Sequence, residues 1–172
     1  MKRAVEPFGN EVVRLRPIGE ADLDSTLAWR NRDEARKWFK TSTLIEPEQH
    51  RAWFARYYLR DDDFVFVVEA DGRRVGQAAV YGIDWTTHEA EVGRFLAAPA
   101  CEGRGFIGNA CVMLLRFCAS TLGLRYVFLE VMETNERAIR VYRRCGFVEE
   151  ARDSGLVRMG CELAAPAAGA SA

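Results

Sequence analysis

The octet Glu102-Gly103-Arg104-Gly105-Phe106-Ile107-Gly108-Asn109 is a glycine-rich turn set directly between a strand-like run and an amphipathic, helix-like run. Strand, tight turn and helix in immediate succession leave few ways to fold this stretch. Glycines without Cβ atoms let the backbone adopt positive φ and come close to a ligand, so consecutive N–H groups can converge on phosphate oxygens. The helix start adds unpaired donors and the positive end of its dipole. A diphosphate-bearing ligand is the expectation.

A chain of 172 residues, 49% of them hydrophobic, has room for one domain with a substantial core. Residues 1–163 are expected to form that domain, and residues 164–172, composed of Ala, Gly, Pro and Ser, a disordered tail. The net charge of −1 provides no global basic field for nucleic acid. No apolar run approaches the roughly 20 residues of a membrane span, and the N-terminus lacks a signal-type apolar segment, so a soluble cytoplasmic protein is expected. Five cysteines with no CxxC pair read as reduced, packed thiols. His50 and His88 sit at no ligand spacing, so no metal is expected.

Along the chain, a first strand is expected over 11–16 and helices over about 20–30, from Asp33, and from Pro47. Phe64–Glu69 and Arg74–Tyr81 read as an antiparallel hairpin turned at Asp71-Gly72, followed by a strand over Glu89–Ala97. A long helix from about Gly105 to Leu122 ends at Gly123. A strand over Tyr126–Val131, a helix over Asn135–Arg144 and two closing strands complete the pattern.

The segment Asn135-Glu136-Arg137-Ala138-Ile139-Arg140-Val141-Tyr142-Arg143-Arg144-Cys145-Gly146-Phe147 closely resembles the N-x-x-A-x-x-x-Y-x-x-x-G-F signature of the GNAT superfamily of acetyl-CoA-dependent N-acetyltransferases. Together with the glycine turn and the element order, the resemblance covers about Val13 to Glu162. It implies an α+β (mixed α/β) fold: a central, mostly antiparallel sheet of about seven strands with a splayed parallel pair, flanked by helices. It also implies acetyl-CoA as acyl donor. The turn departs from the family pattern Q/R-x-x-G-x-G/A at Glu102 and Ile107.

By that resemblance, Gly103, Arg104, Gly105, Phe106, Ile107 and Gly108 hold the coenzyme phosphates. Phe95, Leu96 and Ala97 line its pantetheine arm, with the N–H of Leu96 or a neighbour as oxyanion donor. Asn135 bonds the arm or caps a helix, and the two roles can coexist. Glu91 aligns with a general-base glutamate, its proton affinity raised by burial, or else is a solvated residue or an arginine partner. Glu89, on the same strand face, competes for that role. Tyr142 aligns with a tyrosine that protonates the departing thiolate, or is a core aromatic.

On the acceptor side, Trp29-Arg30-Asn31, Arg36, Trp38-Phe39, His50 and Trp53 resemble GNAT enzymes acting on nucleotide-linked amino sugars. Aromatic faces can stack on rings and arginines can pair with a diphosphate, although each aromatic could equally be core. Tyr81 and Glu89 are counted with this wall. Similar segments occur in ribosomal-protein and spermidine acetyltransferases, so peptide and polyamine acceptors are the alternatives. An acyl-CoA-binding sensor is the non-enzyme alternative, and the presence of both Glu91 and Tyr142 argues against it. A homodimer is compatible with an exposed strand edge.

Overall fold

A computed structural model describes residues 2–164, so the expected tail beyond Ala164 lies outside the described residues. Eight strands form one sheet in the order β1-β2-β3-β4-β5-β6-β8-β7. They are β1 (Phe8–Gly9), β2 (Arg14–Pro17), β3 (Asp63–Ala70), β4 (Arg73–Asp84), β5 (Glu89–Ala97), β6 (Tyr126–Met132), β7 (Val148–Asp153) and β8 (Leu156–Glu162). The count exceeds the expected seven because β1, a two-residue edge strand too short to show periodicity, pairs with β2. Every pairing is antiparallel except β5 with β6, which run parallel only over Glu89↔Tyr126, Ala90↔Val127 and Glu91↔Phe128. Beyond Glu91 the two strands separate.

Among the described residues the α-helices are α1 (Leu23–Asn31), α2 (Asp33–Arg36), α3 (Pro47–Tyr57), α4 (Phe106–Ser120) and α5 (Glu136–Cys145). The segment expected as one helix over 20–30 divides into a 3-10 turn, Glu20–Asp22, and α1. The helix expected from Asp33 is a single turn, and Trp38 and Phe39 fall in the loop after it. Gly123 stands three residues past the end of α4 rather than directly at it, with φ +67° and Leu124 N–H bonded to the Cys118 carbonyl.

Strand β3 explains the layering. Its residues Phe64, Phe66 and Val68 join the larger core under α4, whereas Val65 and Val67 join Ile18, Leu23, Phe54 and Tyr57 under α1 and α3. Helices therefore cover both faces of β3, and its sequence is continuously apolar instead of alternating. Phe117 of α4 anchors the larger core, stacked on Phe8 at 4.7 Å and meeting Phe66 edge-on at 5.2 Å. No helix among the described residues is long and apolar enough to cross a membrane.

Candidate active site

A cleft of about 1420 Å3 runs from the start of α4, through the gap where β5 leaves β6, to the loop after α2. At one end lies the glycine turn. Gly103 and Gly105 have φ of +74° and +80°, and Gly105 is the N-cap of α4, with no side chain to satisfy the first helical N–H groups. Those donors face a position suited to an anion. The turn residues Gly103, Gly105, Phe106, Ile107 and Gly108 line the cleft; Arg104 does not, its guanidinium lying 5.0 Å from the Phe106 ring.

Both departures from the family pattern have local counterparts. Glu102 accepts a hydrogen bond from Arg32 Nη2 at 2.8 Å. Burial pushes its carboxyl up, yet backbone and Arg32 bonds outweigh this and hold it below the usual range. The tip of Ile107 packs on β4, where a Cβ at Gly76 would come within 2.9 Å of Ile107 Cδ1. Arg137 of α5 closes the other side of the turn, 2.8 Å from where a Gly103 Cβ would stand.

In the gap, β5 carries a bulge. Gln77 opposes Leu96 and Ala79 opposes Gly93, so β5 holds one extra residue there, and Arg94 takes φ +51°. The Leu96 carbonyl lies against Gly76, and Ala98 N–H donates to the Val75 carbonyl, so both residues face β4. Backbone alternation then turns Ala97, and Phe95 two residues before it, toward the gap. The Ala97 carbonyl accepts from Arg32 Nη2 at 2.9 Å on that side. The gap-facing N–H groups are thus those flanking Leu96, the residue expected first.

Phe95, Leu96, Ala97, Asn135 and Tyr142 all line the cleft. Asn135 caps α5 by accepting from Ala138 N–H at 3.2 Å, which leaves its amide NH2 as a donor. Tyr142 lies between Phe95 and Phe147, at ring-centroid distances of 5.6 and 6.1 Å. Burial raises the proton affinity of its phenol above the ordinary range, with a smaller contribution from nearby Cys111 and Cys145.

Glu91 and Tyr81 form the floor beyond the gap, with Tyr81 donating its hydroxyl to Glu91 Oε1 at 3.1 Å. Burial, then the Glu91 charge, pushes the Tyr81 phenol above its ordinary range. Glu89 is exposed and outside the cleft, which separates it from Glu91 despite their two-residue spacing.

Of the acceptor wall, Arg30, Trp38 and His50 line the cleft, together with Phe39 and Trp53. Arg30 lies 4.1 Å over the Phe39 ring and donates to the Thr41 carbonyl. His50 stacks on Trp53 at 5.2 Å, and burial lowers its proton affinity below that of a free imidazole. Besides Glu89, three expected residues stand elsewhere. Trp29 is buried outside the cleft, and Asn31 staples the following loop through both Ile45 backbone groups, at 2.8 and 2.9 Å. Arg36 pairs with Asp33 at 2.6 Å and lines a smaller annex of about 460 Å3 with Lys37, Phe39, Lys40 and Met132. The last four are shared with the main cleft.

Arg32, Arg94 and Arg137 line the cleft without having been singled out from the sequence. Only their tertiary placement distinguishes them from other arginines. Among the described residues no group of three His, Cys, Asp or Glu side chains is arranged to hold a metal.

The sequence family described as "Acetyltransferase (GNAT) domain" matches residues 13–148. The spermidine N(1)-acetyltransferase of Escherichia coli (strain K12) is 28% identical over 143 residues, 80% of this chain and 74% of that protein. The putative ribosomal N-acetyltransferase YdaF of Bacillus subtilis (strain 168) is 32% identical over 150 residues, 83% of this chain and 81% of that protein. A crystal structure of spermidine N-acetyltransferase from Vibrio cholerae in complex with CoA and spermine shares the fold, with a TM-score of 0.83 at 22% identity over 90% of this chain and 97% of that one. These names match the polyamine and ribosomal-protein alternatives and not the nucleotide-linked amino sugar expected first. With a family match over most of its length and the fold to accompany it, this chain belongs to the GNAT acetyltransferase family.

Proposed function

We propose that this protein transfers an acetyl group from acetyl-CoA to a primary amine. The observation that carries the reading is the single cleft joining a free helix N-terminus to a hydrogen-bonded carboxylate, with Tyr142 between them. The residues fit the donor: the turn at Gly103 and Gly105 offers N–H groups to a diphosphate, and Asn135 and the edge of β5 offer partners to an amide-bearing arm. Acetyl-CoA supplies the activated acyl carbonyl and a thiolate leaving group.

Each protein group then has one task. Glu91 accepts a proton from the acceptor ammonium, leaving a nucleophilic amine. A gap-facing N–H beside Leu96 steadies negative charge on the carbonyl oxygen. Tyr142 delivers a proton to the thiolate, and its raised proton affinity keeps it protonated across the neutral range. The walls hold donor and acceptor together, replacing a bimolecular encounter with a fixed approach.

For the acceptor, the annex, which shares Lys37 and Lys40 with the cleft, carries Arg36 paired to Asp33 and Lys40 paired to Glu130, leaving Lys37 as a cation with no carboxylate partner among the described residues. That charge suits an amine on an anionic, ring-containing body such as a nucleotide-linked amino sugar. A polyamine is the second reading, favoured by the relatives' names and by Glu34, Glu91 and Glu130 on the cleft wall. The test is thiol release from acetyl-CoA with nucleotide amino sugars, spermidine and amino-terminal peptides. Turnover restricted to spermidine would replace the anionic reading, and no turnover with any amine would remove the enzymatic one.

A further inference from the structure

A chain of contacts crosses the sheet from a buried carboxylate to the candidate base. Asp63, the last of three consecutive aspartates, begins β3 and is 3% exposed. Its two oxygens receive Arg94 Nη1 at 2.9 and 3.1 Å. The Arg94 guanidinium lies 4.1 Å over the Tyr81 ring, and Tyr81 bonds Glu91. Arg94 reaches this position from a backbone conformation that costs a non-glycine residue about 1–2 kcal/mol. Gln77 Nε2 holds its carbonyl at 3.0 Å. Gly93 is needed beside it, since a Cβ there would stand 2.7 Å from the Tyr81 hydroxyl.

We infer that Arg94, anchored by Asp63, is a positioning residue that fixes the Tyr81 ring so that its hydroxyl holds the Glu91 carboxylate in one orientation for proton acceptance. The inference rests on Glu91 as base. The ring is clamped between a cation on one face and the bulge at its hydroxyl end, while Asp63 pairs with the cation from β3. The charged and titratable groups facing the pair are Arg94 on β5, Asp63 on β3 and Tyr142 on α5.

The experiment is a cycle of Arg94→Gln, Tyr81→Phe and the double variant, with Arg94→Lys as the conservative replacement. The rate is followed against pH, and coenzyme affinity is checked by calorimetry. Expected are a roughly tenfold fall in kcat in each single variant, an acidic limb displaced by about one pH unit, and little further loss in the double variant. Coenzyme Kd should stay within about twofold, and Arg94→Lys should recover part of kcat. Losses that multiply in the double variant, or an unmoved acidic limb, would overturn the inference.

A second readout is independent of turnover. The Glu91 side-chain carboxyl carbon-13 signal, assigned by its loss in Glu91→Gln, should move in the same direction in Arg94→Gln and Tyr81→Phe. A signal that moves only in Tyr81→Phe would overturn the inference even if no acceptor were found. If the signal moves as expected but wild-type protein turns over no amine, the functional reading alone has failed.

Discussion

Phe95 on β5 and Tyr142 on α5 face each other across the opening between β5 and β6, with ring centroids 5.6 Å apart and planes tilted by 42°. The contact places the candidate acid beside the bulged strand. Both aromatics line the cleft that also holds the glycine turn and Glu91.

Tyr142→Phe should lower kcat by about 10- to 100-fold while leaving the apparent affinity for acetyl-CoA within about threefold. The phenol acts in its protonated form, and burial raises its proton affinity, so wild-type kcat should show no alkaline limb from this group below its ordinary value of about 10. Steady-state kinetics over pH 6–10 check both statements; unchanged kcat in the variant would remove Tyr142 as acid.

Gly105→Ala places a side chain where φ is +80° at the N-cap of α4. The strain, about 1–2 kcal/mol, falls on the segment proposed to hold the diphosphate. Acetyl-CoA should bind about tenfold more weakly by calorimetry, with a smaller effect on kcat at saturating donor. Unaltered affinity in a folded variant would displace the phosphate site from this turn.

Charge reversal at Lys37 and Lys40 separates the acceptor readings. An anionic acceptor should lose at least about tenfold in kcat/KM in Lys37→Glu/Lys40→Glu, whereas spermidine should gain. The donor KM should hold steady in either case. Because Lys40 also pairs with Glu130 at 3.0 Å, Lys37→Glu alone serves as the control for loss of that link.

Asp22, 1% exposed, receives the Arg16 fork at 2.7 and 2.9 Å, Arg74 Nε at 3.0 Å and Gly19 N–H at 2.8 Å. Burial alone would push its carboxyl up; the Arg16 and Gly19 bonds and the Arg16 and Arg74 charges outweigh burial and hold it below the ordinary range. Its stabilisation is therefore present above the unfolded value of about 3.9 and lost as pH falls through the lower folded value. Asp22→Asn should cost about 2–3 kcal/mol at pH 7, and the difference from wild type should shrink below about pH 4. Urea unfolding at pH 7 and pH 3 measures it; an equal difference at both would contradict the assignment.

Elements with strong local signals were readable in the sequence. Strand β5 spans the expected Glu89–Ala97, and the starts of α3 and α4 follow Pro47 and the glycine turn. What escaped depends on tertiary pairing. Strand β1 has two residues, and Trp38, 38% exposed, continues an apparent helical period that the chain abandons after Arg36. Within the cleft, the resemblance to the family pointed to Glu91 and Tyr142, and both line it. Arg94 could not be found in that way, because its positive φ arises only from the mismatch between β4 and β5. Nothing local separates Asp63 from its neighbours Asp61 and Asp62; its burial comes from the sheet.

The ladder between β5 and β6 has three rungs, and past Glu91 the Ala97 side of β5 faces an opening instead of a strand. Main-chain donors and acceptors along that edge are already spaced and oriented for a partner. An amide-bearing acyl carrier inserted there, as proposed, would act as a prosthetic strand: it would restore continuity to a split sheet and be recognised through backbone groups instead of side chains. Donor recognition of that kind would be independent of the side chains that line the walls beyond Glu91, so substitutions there would alter the acceptor without disturbing the donor.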